Sequence, residues 1–247
     1  MKELQDEGVV LRTYNSGESD RVVVLWTRHF GKIRALAKGI RKTTSRLGGT
    51  LEALAHVDVD LVKTRGELYI VRHVQHRSRL VTLRSSYDRI SAGYAVVEVI
   101  DAIPADDLAD EGIFDLVARV LLALDDESIN PQLVPAAFDF RLLAHDGSAP
   151  VVDECVNCAS AGPLVAFDAS VGGTLCGSCR SGHAISAEAL GLLRRLLGGD
   201  LAAVLREAAP RGAGEVTALA QESIEQHFGR RLRAARSTAP LAQPRDR

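Results

Sequence analysis

The chain has 247 residues, of which 46% are apolar and 25% are charged, and this composition excludes an intrinsically disordered protein. No stretch approaches the roughly 18 uninterrupted apolar residues of a membrane span. The charged start of the chain, from Met1 to Glu7, lacks the apolar region of a secretory signal. We therefore expect a cytoplasmic protein with no membrane partner, in which paired cysteines more often hold metal than form disulfides.

The formal net charge of −2 hides an uneven distribution along the chain. Residues 1–90 contain 17 Lys and Arg against 10 Asp and Glu, a net charge of +7. Residues 91–247 contain 13 Lys and Arg against 22 Asp and Glu, a net charge of −9. A basic segment of this kind is typical of nucleic-acid binding, and the alternative is a solvated surface with uneven charge.

The first third of the chain predicts five short β-strands. Each is a β-branched or alternating run bounded by turn residues: 8–12, 22–27, 32–38, 56–61 and 68–74. Gly31 favours a tight turn between the second and third strands. Five strands in this length fit an OB-fold β-barrel over residues 1–80, which would bind oligonucleotides, and an SH3-like barrel is the alternative.

The segment from Asp20 to Gly49 concentrates positive charge on one side of a strand hairpin. Alternation places Ile33, Ala35 and Ala37 on one face and the cations of the same strand on the other. A small polar loop with three more cations follows. The candidate DNA-binding residues are Lys32, Arg34, Lys38, Arg41, Lys42 and Arg46. Arg12, Arg21 and Arg28 are weaker candidates, because the pattern does not fix their strand faces.

Helical periodicity replaces the strand pattern after Ser78. Residues 87–103 and 106–126 repeat apolar residues at intervals of three and four, and Pro104 should end the first helix. Asn130 before Pro131 and Ser186 before a leucine-rich run are typical helix starts. We assign residues 81–150 and 184–236 to the two parts of one all-α domain, and the patternless residues 237–247 to a disordered tail.

All four cysteines of the chain fall in two C-x₂-C pairs. Cys155 and Cys158 are separated by seventeen residues from Cys176 and Cys179, a spacing that matches a four-thiolate zinc site. Four thiolates leave no open coordination position, so one structural Zn²⁺ is expected in a module over residues 151–183. Disulfides are the alternative, and His183 could replace one thiol, although we take it as a bystander.

No motif in the chain indicates catalysis. A phosphate-binding loop of the G-x-x-x-x-G-K-[ST] type is absent, and no His-x-Glu precedes the first C-x₂-C pair as in zinc deaminases. The acidic residues between 91 and 128 fit solvated helix faces better than acid catalysis. We therefore predict that the protein is not an enzyme.

Several short motifs of the first 49 residues resemble the N-terminal domain of the RecO family of bacterial DNA repair and recombination mediators. These are Gly17-Glu18-x-Asp20 before the second strand, Thr27-x-x-x-Gly31-Lys32 at the hairpin, and Ala37-Lys38-Gly39 before a basic loop. Each motif is weak alone, but their order, together with the four cysteines, is specific. The resemblance implies an OB-fold at residues 1–80, a helical body and a zinc-binding insertion.

The resemblance also implies a process. RecO-like proteins bind single- and double-stranded DNA and anneal complementary strands. With RecR they help to load RecA onto single strands coated by single-stranded DNA-binding protein (SSB), so a nucleoid-associated location is expected. They bind RecR through the OB-fold region and the acidic C-terminal tail of SSB through the helical body. Arg141 beside Phe138 is a candidate for the tail site, since such a tail needs a cation at an apolar pocket.

Two other classes of protein remain possible on the residues alone. A zinc-containing OB-fold transcription or translation accessory factor would share the barrel and the cysteine pairs. A zinc enzyme would need an open metal position, which four thiolates do not leave.

Overall fold

The structure is a computed structural model that describes residues 3–41, 49–104 and 109–232. Two of the candidate DNA-binding residues, Lys42 and Arg46, lie outside the described residues, and so does the predicted tail at 237–247. No helix in the described ranges is long and apolar enough to cross a membrane.

Five strands form a closed barrel at the start of the chain. They are β1 (Glu3–Ser16), β2 (Asp20–Thr27), β3 (Gly31–Ala37), β4 (His56–Lys63) and β5 (Leu68–Ser78). The order around the barrel is β1-β2-β3-β5-β4, with β3 and β5 parallel and the other pairs antiparallel. This strand order, with β3 parallel to β5, is that of an OB-fold, and it confirms the predicted OB-fold over the SH3-like alternative. The strands are longer than predicted, because the pattern marks only their most regular parts.

Alternating side chains of each strand fill the barrel. Val23 and Leu25 of β2 and Ile33 and Ala35 of β3 belong to one buried apolar cluster. Trp26 does not belong to that cluster, but it is only 1% exposed and is therefore also a core residue. Gly31 adopts a φ of 61° where β2 turns into β3, a conformation that favours glycine. The alternation fixes which side chains of β3 face outward.

Helices follow the barrel, as predicted. Their bounds are α1 (Val81–Ser85), α2 (Tyr87–Ala102), α3 (Glu111–Asp125), a 3-10 turn (Pro131–Leu133), α4 (Val134–His145), α5 (Ala187–Leu197), α6 (Leu201–Val204) and α7 (Ala213–Phe228). The side chains of Asp110, Asn130 and Ser186 each accept a hydrogen bond from a backbone N–H of the turn that they cap. Two of these caps, Asn130 and Ser186, were expected from the sequence.

A small three-stranded sheet interrupts the helical region between α4 and α5. It consists of β6 (Leu164–Asp168), β7 (Gly173–Cys176) and β8 (His183–Ala184), in the order β7-β6-β8. The four cysteines flank or belong to this sheet. The predicted architecture, an OB-fold barrel followed by an all-α domain with an inserted four-cysteine module, is therefore confirmed.

Contacts divide the described chain into two compact units. The first combines the barrel and α1 with the later part of α2 and with α3, in the ranges Met1–Ser86 and Val97–Asp126. The second contains Tyr87–Val96 and the remaining residues from Glu127 onward. Residues 97–126 thus pack with the barrel, and the predicted domain boundaries stay predictions.

Candidate nucleic-acid surface and metal centre

Exposed cations lie along β3 and the turn that follows it. Arg34 and Lys38 are exposed, whereas Ile33, Ala35 and Ala37 on the opposite face are buried. The Arg34 Nε donates a hydrogen bond of 3.1 Å to the Tyr14 hydroxyl, and its guanidinium group lies 5.9 Å from the centre of the Tyr14 ring. The predicted two-sided pattern of β3 is therefore present, and Tyr14 orients its central arginine.

A carboxylate fixes the turn that carries Lys38 and Arg41. The Asp20 side chain accepts a hydrogen bond of 2.7 Å from the Gly39 backbone N–H, and the Arg41 N–H donates to the Ser19 carbonyl at 3.0 Å. The exposed Arg41 side chain reaches the Gly17 carbonyl at 3.4 Å. The end of β3 is thus tied to the turn between β1 and β2. Arg34, Lys38 and Arg41, which we call the hairpin cations, have no acidic partner among the described residues.

Lys32 lies apart from the hairpin cations, although it belongs to the same strand face. Its side chain is only 11% exposed, and its ammonium group donates hydrogen bonds to the backbone carbonyls of Asp101 and Ile103 at the end of α2. The Asp101 carboxylate lies 3.9 Å away. The structure thus corrects the expectation that Lys32 presents its charge to DNA, because carbonyl and carboxylate oxygens already occupy it.

Arg12 and Arg28 are also bound to acidic residues. Arg28 is 23% exposed and lies 2.7 Å from Asp115 and 3.2 Å from Glu7, and its guanidinium group stacks on Phe114 at 4.6 Å. Arg12 forms an ion pair of 2.7 Å with Asp101. These contacts make Arg28 a packing residue of the barrel and α3, and they leave Arg12 partly neutralised.

Arg21 has a different environment from Arg12 and Arg28. It is half-buried on β2, where it pairs with Asn15 of β1 and Ala37 of β3. In the ranges that the structure describes, no carboxylate pairs with it. Arg21 therefore stays a candidate at the margin of the hairpin cations.

The four cysteine sulfurs converge on one point. All of them lie within 4.8 Å of one another, and the sulfurs of Cys158 and Cys176 are 3.7 Å apart. Zinc–sulfur bonds of about 2.3 Å in a tetrahedron separate the sulfurs by about 3.8 Å. A disulfide would require about 2.05 Å, and the cysteines are free thiols. The cluster therefore fits a metal ion and excludes the disulfide alternative.

Backbone hydrogen bonds shape the two cysteine pairs. The Ala159 N–H donates to the Cys155 carbonyl at 2.8 Å, and the Cys179 N–H donates to the Cys176 carbonyl at 3.2 Å, so each pair lies in a tight turn. The Val156 N–H donates to the Thr174 carbonyl at 3.0 Å and connects the two turns. The pairing of β6 with β7 thus brings together cysteines that are distant in sequence.

The thiols of the cluster differ in acidity. Hydrogen bonds from the backbone of Cys176, Asn157 and Cys158 lower the pKa of Cys155 to about 6. Hydrogen bonding to the thiols of Cys158 and Cys176 raises the pKa of Cys179 to about 12. A cation that binds here must displace the proton of Cys179. His183 forms an ion pair of 3.3 Å with Glu222 and is not a member of the cluster, as expected.

The helical body places the two candidate partner-binding residues differently. Phe138 is 1% exposed in the core, so it cannot line a surface pocket, which corrects the expectation for this residue. Arg141 borders a cavity of about 460 Å³ together with apolar residues such as Pro150 and Leu197. Asp153 and Glu154 also line this cavity.

A further group of cations lies on β5 and α1, where the strand and helix patterns of the sequence do not indicate a site. The twenty residues from Leu68 to Tyr87 contain four arginines and two histidines and no acidic residue. Three of these residues, His76, Arg79 and Arg84, interact electrostatically at the end of β5 and in α1. The sequence signal for this group is the absence of Asp and Glu from residues 68–87. The alternation of β5 indicates only which of its apolar residues are buried.

Comparison with known proteins agrees with this arrangement. Residues 1–79 match the family described as recombination protein O, N terminal, and residues 84–236 match recombination protein O, C terminal. The chain is 34% identical to the DNA repair protein RecO of Streptomyces griseus subsp. griseus over 96% of its own length and 98% of that relative. The first family match covers the barrel, and the second covers the helical region that contains the cysteine cluster. The chain therefore belongs to the RecO family.

Proposed function

We propose that this chain is a non-catalytic DNA-binding protein of DNA repair and recombination. The observation that carries the proposal is the set of hairpin cations, Arg34, Lys38 and Arg41, exposed on an OB-fold barrel without acidic partners among the described residues. The family and the name of the relative, a DNA repair protein, support this role. The site of action would be the nucleoid in the cytoplasm.

The hairpin cations would bind the sugar-phosphate backbone. Lysine and arginine side chains that neutralise phosphates release condensed counterions, and this release favours binding to any sequence. Lys42 and Arg46 of the following loop are proposed as additional contacts. Because phosphates are common to single and double strands, both would bind.

Base stacking would contribute little to this binding. The barrel has few aromatic residues, and Tyr14 is already engaged by Arg34, while Arg12 lies 5.8 Å from the same ring. Among the described residues of the barrel, Phe30 is the most accessible large apolar side chain, at 37% exposure. Weak stacking implies weak base selectivity, since direct readout would need side chains at base edges.

The finer process follows from membership of the family. We propose that the protein anneals complementary strands and, with RecR, assists the loading of RecA onto SSB-coated DNA. The acidic SSB tail would bind at the cavity beside Arg141, where a guanidinium group meets apolar walls. Asp153 and Glu154 would confine the tail carboxylates to the Arg141 side of that cavity.

The metal would be one structural zinc ion. Cys155, Cys158, Cys176 and Cys179 would supply four thiolates and leave no position for water or substrate. An ion bound in this way supplies folding energy to the module and no hydrolytic chemistry. This donor set argues against the zinc-enzyme alternative.

The decisive experiment reverses the hairpin cations. The triple variant Arg34→Glu, Lys38→Glu and Arg41→Glu should lose annealing of complementary oligonucleotides, with and without SSB, because three phosphate contacts become repulsive. A matched control reverses three exposed arginines elsewhere, Arg119, Arg206 and Arg211, with the same change in net charge.

The two variants separate local from global charge. If annealing survives in the hairpin variant, the DNA surface has been misplaced. If the control variant also loses annealing, total charge and not the hairpin is responsible. Thermal unfolding of both variants verifies that each is folded.

A further inference from the structure

β5 and α1 also carry cations, and these are not among the DNA contacts of the proposed function. Along this acid-free stretch, Arg77 alone has acidic partners among the described residues. It binds Glu7 at 2.9 Å and Asp58 at 3.0 Å. Arg72, Arg79 and His76 are exposed, and Arg84 is half-buried. Apart from Arg77, the arginines of this stretch have no ion-pair partner among the described residues, and Asp60 of β4 lies opposite His73.

Three of these side chains form a cluster at the junction of β5 and α1. Burial, followed by the charges of Arg84 and Arg79, lowers the pKa of His76, while a hydrogen bond with the Gly49 backbone opposes this shift. His76 lies near the end of β5, Arg79 lies between β5 and α1, and Arg84 lies in α1, so the three side chains belong to the junction of the strand and the helix. The carboxylate that reaches α1, Asp125, accepts a hydrogen bond of 3.0 Å from the Leu83 N–H. We call His76, Arg79 and Arg84 the junction cluster.

Strand register relates the junction cluster to the hairpin cations. β5 runs parallel to β3, with Arg34 opposite Leu68 and Leu36 opposite Ile70. His76 lies eight residues beyond Leu68 along β5, or about 26 Å further at about 3.3 Å per residue. Arg72 lies about halfway along this distance. Positive charge thus continues from β3 along β5 to α1.

From this geometry we propose that the phosphate-binding surface is a track for a single strand. It begins at the hairpin cations, passes Arg72 and ends at the junction cluster. This inference rests on the proposed function for the ligand, a nucleic-acid strand, and adds where the strand runs. At about 3.4 Å per nucleotide, a track of about 26 Å holds about eight nucleotides, near the middle of the range of about 4 to 16 that single OB-folds bind.

A nucleic-acid strand fits the track better than an acidic protein segment. The cations are spaced along a strand and a helix, as a repeating phosphate backbone requires. Arginine and histidine also present planar groups that stack on bases, which suits an unpaired strand. An acidic peptide would bind through charge alone, and poly-Glu titrated in the same way as the oligonucleotides tests this alternative.

The experiment compares oligothymidylates of different lengths. The double variant Arg79→Glu with Arg84→Glu should bind tetrathymidylate as the wild type does, since four nucleotides are held by the hairpin alone. It should bind hexadecathymidylate roughly tenfold to hundredfold more weakly at 50 mM salt, with a salt slope smaller by about 1.4. Fluorescence anisotropy measures both quantities.

Companion variants keep the result interpretable. Arg79→Gln with Arg84→Gln should weaken binding in the same direction but less, and Arg79→Lys with Arg84→Lys should restore it. Arg206→Glu with Arg211→Glu changes the net charge equally on exposed residues elsewhere and should leave both affinities unchanged. Circular dichroism verifies folding in each case.

Each contrary outcome has a distinct meaning. Unchanged binding of hexadecathymidylate overturns the track and leaves the proposed function intact. Equal weakening of both lengths overturns it too, because the cluster would then act through overall charge. Loss of poly-Glu peptide binding with unchanged DNA binding would make the cluster a protein-docking site. If the triple hairpin variant, with Arg34, Lys38 and Arg41 changed to Glu, also binds tetrathymidylate as the wild type does, the proposed function fails instead.

Discussion

Lys32 and Arg34 show how two cations on one strand face can have different roles. Lys32 donates hydrogen bonds to carbonyl oxygens at the end of α2, where the helix dipole is negative, whereas Arg34 is exposed beside Tyr14. Hydrogen bonds from charged groups contribute about 1.5–3 kcal/mol. The first serves the packing of the barrel against the end of α2, and the second is available to a ligand.

We predict opposite effects for the two methionine variants. Lys32→Met should lower the free energy of unfolding by about 1–3 kcal/mol and leave the salt slope of DNA binding unchanged, because it removes a structural hydrogen bond. Arg34→Met should leave stability nearly unchanged and reduce the salt slope by about 0.7. Urea unfolding and anisotropy titrations measure these effects. A reduced salt slope for Lys32→Met would return this residue to the DNA surface.

Asp139 is a residue of α4 that is only 5% exposed, so its carboxyl group lies in the protein core. Burial raises the pKa of Asp139 well above its ordinary value, so the folded protein favours the neutral form. The stabilisation of the folded state is therefore complete below the unfolded pKa of about 3.9 and is lost as the pH rises toward the raised folded value. At neutral pH the carboxyl group opposes folding.

Asp139→Asn should accordingly stabilise the protein at pH 7. The amide keeps the shape of the side chain and has no ionisation to suppress. The increase in the free energy of unfolding should shrink as the pH is lowered and vanish below about pH 3, where the wild-type carboxyl is protonated in both states. Chemical denaturation from about pH 3 to pH 8 tests this, and a gain independent of pH would contradict it.

At the scale of elements, the small sheet depends on the cysteine cluster. β6 has five residues and β7 has four, too few for an independently stable hairpin. Two cysteines precede β6, a third ends β7 and the fourth follows in the next turn. A metal ion between them would join the elements that hydrogen bonding alone holds weakly.

Cys176→Ser should remove the ion and loosen this sheet locally. We expect the zinc content to fall from one ion per chain to none. Amide hydrogen exchange should become faster over Leu164–Cys176 and stay unchanged in β1–β5. Acid should release zinc from the wild type in the same way, because protons compete for the thiolates and Cys179 has its pKa raised to about 12.

His183→Ala is the matched control for the metal site. His183 lies near the cluster in sequence but pairs with Glu222, so this variant should keep its zinc. Loss of zinc in His183→Ala, or its retention in Cys176→Ser, would contradict the four-thiolate site. If the amides of the barrel also exchange faster in Cys176→Ser, the ion supports more of the protein than its own module.

Across the whole molecule, the features that depend on a local sequence pattern were predictable. The inward and outward sides of β3 follow from alternation, the cysteine cluster from its spacing, and the helix starts from Asn130 and Ser186. The engagement of Lys32 and Arg28 was not predictable, because their acceptors on α2 and α3 are about 70 to 90 residues away in sequence. Likewise, the burial of Phe138 depends on neighbours that helical periodicity does not identify.

The distribution of charge over the whole chain determines how it should respond to salt. The sequence isoelectric point is about 6.4, so a protein governed by its total charge would be repelled by DNA at pH 7.5. At physiological salt, however, interactions are screened beyond about 8 Å, and a phosphate responds only to nearby side chains. The +7 of residues 1–90 can therefore attract DNA despite the −9 of the remaining chain.

We predict a steep and sequence-insensitive salt dependence for the wild type. If the three hairpin cations and the two arginines of the junction cluster each neutralise one phosphate, log K against log salt should have a slope of about −3.5 for single strands. The slope becomes steeper if Arg72, Lys42 and Arg46 also bind phosphates, and the hairpin cations alone should give about −2.7 for duplexes. Oligonucleotides of different sequence should share these slopes, since phosphates carry no sequence information. Anisotropy titrations between 50 and 300 mM salt measure them. A slope near zero, or one that changes with base composition, would mean that bases and not phosphates dominate the interface.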